Sequence, residues 1–500
     1  MKRFLKINGA DNVAVVLADG VKAGEWYEDN GTRVHLLADV PRGHKFALRD
    51  IASGEDVVKY GSPIGHATAA IAAGEWVHSH NLATSLSDNL DYTYEPVKAV
   101  DVPPVVSGNV PTVEGYLRHD GDMGIRNELW IIPTVGCVNG VANAIANRLR
   151  NECGNAPGVE DIRAFTHNYG CSQLGDDHAN TRRALAAMAV HPNAGGVLIV
   201  GLGCENNQID ALKECMGAFD ESRVRFLVSQ LVDDEIAEGV KLGKELVARM
   251  ASDHREPLPV SKLKVGLKCG GSDGLSGITA NPLVGLLSDR LLGWDATTVL
   301  TEVPEMFGAE AMLMNRACSR EVFESAVGLI NGFKDYFRSN GQPIYENPSP
   351  GNKAGGITTL EEKSLGCVQK GGSGVVVDVL GYAEPVKRHG LNLLNAPGND
   401  LVASTALALS GCQIVLFTTG RGTPFGTFVP TMKIATNTAL ASRKKSWIDF
   451  NAGSIVEEES MRKALDRLTA KLLATASGAQ VCNELNGDKE IAIFKTGVTL

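Results

Sequence analysis

The chain has no excess of positive charge. Its 48 Lys+Arg against 58 Asp+Glu give a formal net charge of -10, so no basic field exists to gather a phosphate backbone, and nucleic acid is not expected as a partner. The opening stretch, MKRFLKINGADNVAVVLADG, contains no apolar run long enough for a signal-peptide core, which predicts a cytoplasmic protein. The ten cysteines form no C-x-x-C pair and no short repeating spacing, which argues against structural zinc and against a disulfide scaffold; they read as thiols. There is no G-x-x-x-x-G-K-S/T phosphate loop, no low-complexity tract and no short-period repeat. One stretch, residues 401–420, is uncharged over a length that could span a bilayer. Ser404, Thr405, Ser410, Gly411 and Gln413 interrupt it, and it divides into an Ala/Leu helix ending at Gly411 and a strand, QIVLFTTG. A buried helix-then-strand unit accounts for it without lipid, so no membrane partner is expected.

What is present is glycine and a globular balance: 55 Gly and 44% hydrophobic residues over 500 positions, enough for roughly two to four domains. Residues 1–100 carry short apolar runs (NVAVVLA, RVHLLAD, KFALRDI, EWVHSHN) separated by DG, NG, PRG and SG turns, the cadence of a small antiparallel β-rich domain. Residues 101–111, DVPPVVSGNVP, read as a linker. Thereafter strand, Gly-rich turn and helix alternate: ELWIIPTVGC before NGVANAIANRLRNEC, GGVLIVGLGC, KLKVGLKCGGSDG before ITANPLVGLLSDRLLG, and ATTVLTEVPE. That alternation specifies βαβ units and a mostly parallel α/β sheet. A Pro-containing break, HREPLPVS, divides this region into 112–257 and 258–500, and the long polar loop NPSPGNKAGGITT is placed to cover a site. In open α/β sheets the ligand crevice lies beyond the carboxyl ends of the strands.

Unusual residues concentrate at those strand ends. Cys137, Cys171 and Cys204 each follow a glycine, with Cys367 and Cys269 in related settings. Thiolates are soft ligands for iron or zinc, and a preceding Gly permits close backbone approach; small cysteines packed into tight turns are the competing explanation. In Trp76-Val77-His78-Ser79-His80, an extended backbone would put His78 and His80 on one face, where they could chelate a cation. His167, Cys171, Asp176 and Asp177 lie close in sequence and offer acid, base and ligand options, although Asp176 and Asp177 also suit the start of the following helix. Three polar loops, KCGGSDG, TEVPE and TTGRGTP, add Lys268, Ser272, Asp273, Glu302, Glu305, Arg421 and Thr423. Gly420-x-Gly422 lacks the third glycine of a dinucleotide loop, and Asp273, Glu302 and Glu305 would repel a phosphate. Carboxylates, a cation and hydroxyls together suit a small polyhydroxy acid.

These strings resemble the altronate/galactarate dehydratase family over essentially the whole chain: GYLRHDGDMGIRN, PTVGCVN, HPNAGGVLIVGLGCENNQ, KCGGSDGLSGITANP, TEVPEMFGAE and NLLNAPGND stand in the family's order. The N-terminal domain with VHSHN is similar to the family's small SAF (β-clip) domain, and the rest to a large Rossmann-like α/β region in two halves. The resemblance implies a hydro-lyase that dehydrates an aldonic acid, D-altronate to 2-keto-3-deoxy-D-gluconate, with galactarate dehydratase or sulfolactate sulfo-lyase activity as alternatives. It also implies a divalent metal, ferrous iron first, with manganese and an iron–sulfur cluster as alternatives. Such chemistry requires a base for a weakly acidic α-proton, an acid for the departing C3 hydroxide and a group to hold the carboxylate. The expected metal or leaving-group ligands are His78 and His80, carried as a lid, facing Cys137, Cys171 and Cys204. Arg421 or Arg126 would hold the carboxylate, with Ser272 and Thr423 beside it, and the base is one of His167, Asp273 and Lys268. A homo-oligomer acting on a small sugar acid is expected. A non-catalytic binding protein for sugar acids or nucleotides is the alternative of a different class.

Overall fold

The computed structural model describes residues 3–29, 31–86, 91–97 and 110–497; the linker expected at 101–111 lies, up to residue 109, outside the described residues. The N-terminal region is β-rich. Phe4–Leu5, Val13–Val16, Lys45–Ala47 and Trp76–Val77 form a four-stranded antiparallel sheet, next to a three-stranded sheet of Asp56–Lys59, Ser62–Ala67 and Leu82–Ala83 and a hairpin of Trp26–Asp29 with Thr32–His35. The strand VAVV shows no polar alternation because both of its faces are buried. Ala14 and Val16 point into the region's own core with Tyr27 and Phe46, while Val15 and Leu17 pack on Leu275 and Ile278, 260 positions along the chain. The outward face of this strand is therefore a docking face for the α/β region.

That region holds two all-parallel sheets. The first has the order Ile162–Ala164, Glu128–Pro133, Ala194–Gly201, Val224–Val228. Helices Asn139–Cys153 and Glu235–Met250 cover one face, and Gly175–Ala189 and Ile209–Met216 the other. The second has seven strands in the order Val376–Leu380, Leu391–Leu394, Thr297–Leu300, Lys264–Cys269, Ile414–Thr419, Thr431–Ala435, Phe450–Asn451. The uncharged stretch 401–420 is the helix Asp400–Leu409, a turn with Gly411 at φ +96°, and the interior strand Ile414–Thr419, every residue of which is buried. Among the described residues no helix is long and apolar enough to cross a membrane.

Two segments read as a break and a loop contain regular structure. Within HREPLPVS, Glu256–Pro259 is a strand pairing antiparallel with Thr112–Leu117, and it stands at the edge of its three-stranded sheet, where the missing proline N–H is tolerated. The polar loop at 347–359 contains the short helix Pro350–Ala354, capped by Ser349, and lies between the N-terminal region and the seven-stranded sheet.

Candidate active site

Lys268 and Cys269 end the strand Lys264–Cys269; Glu302 and Glu305 follow the neighbouring strand Thr297–Leu300. The helix Leu360–Cys367 brings Lys363 and Cys367, the next turn brings Lys370, and Asp400 opens its own helix. Together they form a closed, cross-linked cluster. Lys268 Nζ donates to Glu302 Oε1 at 2.5 Å and Asp400 Oδ1 at 2.9 Å. Lys370 Nζ lies 3.1 Å from Glu302 Oε2 and 2.9 Å from Cys269 Sγ. Lys363 Nζ lies 2.9 Å from Glu305 Oε1. Glu302 adopts a left-handed backbone, φ +69°, a strained conformation for a side chain with a Cβ and one that clusters at functional sites.

Charge balance explains how so many ions stay buried. Three ammonium groups (Lys268, Lys363, Lys370) face three carboxylates (Glu302, Glu305, Asp400). Burial opposes ionisation of Glu305, but Lys363, Lys268 and Lys370 outweigh it and hold its carboxyl down at about 2. Burial also opposes the charge on Lys268, yet Asp400 and Glu302 raise it above the ordinary lysine range. The carboxylates around Lys268 thus favour its protonated form.

Cys269 Sγ, Cys367 Sγ and a Glu305 carboxylate oxygen lie within 4.8 Å of one another, all buried. The thiols are 3.2 Å apart and reach Glu305 Oε2 at 3.3 and 3.1 Å. The hydrogen bond from Cys269 and then burial raise the Cys367 thiol well above the ordinary range. Two soft sulfurs and one carboxylate suit a divalent ion such as iron or zinc. Because the surrounding ions already cancel, a divalent cation with both thiols deprotonated would leave the cluster neutral. This set is a possible metal site. It differs from the ligands read from the sequence, where Cys269 and Cys367 were noticed only for their glycine settings.

A cleft of about 430 Å³ opens at the loop that follows Cys269, lined by Arg42 and Gly43 of the N-terminal region and by Asp273, Gly355, Arg421, Asn437 and Arg443. The Asp273 carboxylate is fixed by Thr436, Ser276, the Leu275 N–H and Asn437. Burial raises its pKa despite these donors, the direction that suits proton acceptance. Arg42 lies 3.5 Å from Asp19 through one terminal nitrogen, while its buried Nε has no partner. At Gly274 a Cβ would collide with the Gly43 carbonyl oxygen, so glycine is required where the N-terminal region meets the site loop. Deeper in that contact Lys45 and Lys59 both bind Glu362, at 2.8 and 2.7 Å, all three side chains 1% exposed.

The other sequence-derived candidates fall in several places. Ser272 is buried, its carbonyl accepting from Asn352, and the Thr423 hydroxyl accepts from the Phe425 N–H. His78 and His80 do not share an extended strand: pairing stops at Val77, and Asn81 closes a turn by accepting from the His78 N–H. His78 faces Ser79 Oγ and the Lys353 carbonyl with its two ring nitrogens and stacks on His44, whereas His80 packs on Trp76. Arg126 is not free to hold a substrate. It makes a two-pronged ion pair with Glu484 and donates to the Ile125, Thr475 and Ala479 carbonyls, at the opposite, amino edge of the first sheet. His167 is buried with Nε2 on the Pro133 carbonyl and Nδ1 accepting from the Tyr169 N–H; burial lowers its pKa, as expected of a structural imidazole. Cys137, Cys171 and Cys204 follow three adjacent strands of the first sheet rather than the seven-stranded one. Arg42, Lys45, Lys59, Lys363 and Lys370 were not found from sequence; ordinary lysines and an arginine in a PRGH turn carry no motif.

A charge-balanced polar cluster at the carboxyl edge of a parallel sheet, with a cleft bearing three arginines at the loop that follows its central strand, defines an enzyme of the α/β class. Comparisons place it further. Residues 2–85 match the family model described as altronate/galactarate dehydratase SAF domain, 115–251 the second domain of D-galactarate dehydratase/altronate hydrolase, and 260–499 the C-terminal domain of D-galactarate/altronate dehydratase. The chain is 57% identical to an altronate dehydratase of Escherichia coli strain K12 over 100% of both chains, and 54% identical to one of Bacillus subtilis strain 168, again over 100% of both. It is 34% identical to a galactarate dehydratase (L-threo-forming) of Escherichia coli strain K12, over 95% of this chain and 93% of that one. The chain belongs to the altronate/galactarate dehydratase family.

Proposed function

We propose that the protein is a hydro-lyase converting D-altronate to 2-keto-3-deoxy-D-gluconate and water. The observation that carries this reading is the identity of 57% and 54%, over the full length of both chains, to proteins named altronate dehydratase. The cleft supports it: Arg42, Arg421 and Arg443 against Asp19 and Asp273 leave one net positive charge for an acid substrate. Arg421 and Arg42 hold the substrate carboxylate, the unpartnered Arg42 Nε offering a donor. Asp273 accepts the C2 proton, since it alone of the three candidate bases lines the cleft. The C3 hydroxide then leaves as water by taking the proton removed from C2, which returns Asp273 to its carboxylate, and the resulting enol becomes the 2-keto acid by losing its hydroxyl proton and gaining one at C3.

Cys269, Glu305 and Cys367 would hold the divalent metal, ferrous iron or manganese. When bound, such a cation supplies positive charge against the negative charge that develops as the α-proton leaves. Lys268 and Lys370 keep Glu302 oriented and the cluster neutral. Ser272 and Thr423 shape the loops around the cleft, and His78 reaches the Lys353 carbonyl on the covering helix while His80 packs on Trp76. Architecturally, we read a SAF domain over residues 1–100, a linker at 101–111, and two Rossmann-like halves, 112–257 and 258–500, working as a cytoplasmic homo-oligomer.

The test is a panel of altronate, galactarate and sulfolactate, each with and without ferrous iron, followed by 2-keto acid formation. Iron-dependent turnover of altronate is expected. Reaction with galactarate or sulfolactate alone would replace the substrate, and no turnover of any acid would refute the reading.

A further inference from the structure

Two of the ten cysteines touch. Cys269 Sγ lies 3.2 Å from Cys367 Sγ, and among the described residues no other two cysteines make such a contact. One ends the strand Lys264–Cys269 and the other the helix Leu360–Cys367, so the fold brings together thiols that lie 98 positions apart. They are 1% and 3% exposed. Their neighbours hold both sulfurs in place. Glu305 Oε2 lies 3.3 Å from the Cys269 sulfur and 3.1 Å from that of Cys367, and Glu305 is itself tied to Lys363 at 2.9 Å. The Cys269 N–H donates to Glu302 Oε2 at 2.9 Å, and Lys370 Nζ approaches the Cys269 sulfur at 2.9 Å.

A disulfide joins sulfurs about 2.0 Å apart, and thiols already in contact are most of the way to that bond. The thiolate is the attacking form, and an adjacent ammonium favours it. Lys370 stands against Cys269, which marks Cys269 as the sulfur that attacks an oxidant and Cys367 as the one that resolves the product. The cluster meets solvent at Asp400, whose side chain is 34% exposed. That carboxylate lies where a Cβ on Gly270, the residue after Cys269, would be. An entry of this kind favours a small neutral oxidant over a bulky reagent. Cys137, Cys204, Cys215 and Cys318 differ on both counts: they are exposed, and none touches another sulfur. Peroxide can take such cysteines to sulfenic or sulfinic acid, without an internal partner to trap the sulfenic acid.

We propose that Cys269 and Cys367 form a reversible disulfide under peroxide, and that this bridge and a metal at Cys269, Glu305 and Cys367 exclude one another. The Cys269 sulfur attacks one peroxide oxygen. An S–O bond forms, the O–O bond breaks, and the other oxygen leaves as water with the thiol proton, giving the sulfenic acid. The Cys367 sulfur then attacks the Cys269 sulfur. An S–S bond forms, the S–O bond breaks, and the hydroxide leaves as a second water with the Cys367 proton. Two thiols are oxidised and one peroxide is reduced to two waters. Bridged sulfurs lack the thiolate charge that a divalent ion requires, so oxidation takes two ligands from the site and a thiol reductant returns them. The bridge stands on the contact between the thiols; its effect on turnover rests on the metal role proposed above.

The experiment treats the full chain, freed of metal by a chelator, with hydrogen peroxide. Remaining thiols are then blocked with N-ethylmaleimide in denaturant, and the unreduced peptides are mapped by mass spectrometry. A peptide pair joining Cys269 to Cys367 is expected as the dominant cross-link, and dithiothreitol should return both thiols. Zinc added before the peroxide should lower this cross-link severalfold; equal cross-linking with and without zinc would overturn the exclusion of the metal. Cys412→Ser, which changes a buried cysteine outside the cluster, should keep the cross-link. Cys367→Ser should lose it and leave Cys269 as a sulfinic acid, and the unaltered chain carries the test by itself if that variant does not fold. No Cys269–Cys367 pair at a peroxide dose that oxidises Cys137 and Cys204, or Cys269 joined equally to several partners, would overturn the bridge. The masses are read without substrate, so a failure to dehydrate altronate counts against the proposed function and not against the bridge.

Discussion

At the scale of single residues, the environment decides between side chains that look equivalent in the sequence. Lys268 lies at the end of a strand and Asp273 five positions on in the loop that follows, yet carboxylates raise the lysine above its ordinary range against its burial, while burial pushes the aspartate toward proton acceptance. Asp273→Asn should therefore lower kcat by about 10²–10⁴-fold while iron content is unchanged; steady-state kinetics beside metal analysis would check this, and near-normal turnover would remove Asp273 as the base. Arg421→Ala should raise KM more than it lowers kcat if it holds the carboxylate in ground and transition states alike. The pH dependence has a definite sign. Glu305 and Glu362 are held at about 2 by their lysines although burial opposes this, below the 4.5 of an unperturbed side chain. Their contribution to stability is complete above pH 4.5 and is lost as pH falls toward 2. Thermal unfolding followed from pH 6 to pH 3 should show this loss, and Glu362→Gln should flatten its steepest part.

At the scale of elements, the clearest surprise is the helix LEEKSLGC. It carries three charges in its first four residues, and all eight residues are buried. Each charge has a distant partner: Glu361 accepts from Thr84 and Ser85, Glu362 binds Lys45 and Lys59, and Lys363 binds Glu305. Local periodicity cannot report partners some 300 positions away. By contrast, the helix Asp400–Leu409 and strand Ile414–Thr419 were legible because apolar length, hydroxyl interruptions and Gly411 are local signals. Asn399 caps that helix by accepting from the Leu401 and Val402 N–H groups. Asn399→Ala should cost about 1 kcal/mol in urea unfolding, with a further fall in activity because Asp400 in the first turn holds Lys268. Gly274→Ala should lower both Tm and kcat, since a Cβ there meets the Gly43 carbonyl and pushes the N-terminal region off the cleft.

At the scale of the molecule, the N-terminal region completes the site rather than hanging from it. It supplies Arg42 to the cleft and two buried lysines to Glu362. Replacing Glu362 with Gln leaves both ammonium groups uncompensated and should cost about 3–5 kcal/mol. Calorimetry should show residues 3–86 unfolding with the α/β region in one transition; a separate early transition would show that the contact is weak. The sequence by itself determined the order of β-rich and α/β segments, the parallel sheets, the family and the concentration of chemistry at strand ends, because hydrophobic periodicity, glycine turns and motif strings are local in the chain. Only the tertiary structure decided which strand ends face one another. It put Cys269, Glu305 and Cys367 together, assigned Arg126 and His167 to the scaffold, turned the His78–His80 segment out of extended form, and moved Cys137, Cys171 and Cys204 to a different sheet. Those outcomes depend on long-range packing and on charge balance between residues distant in sequence, which no window along the chain contains.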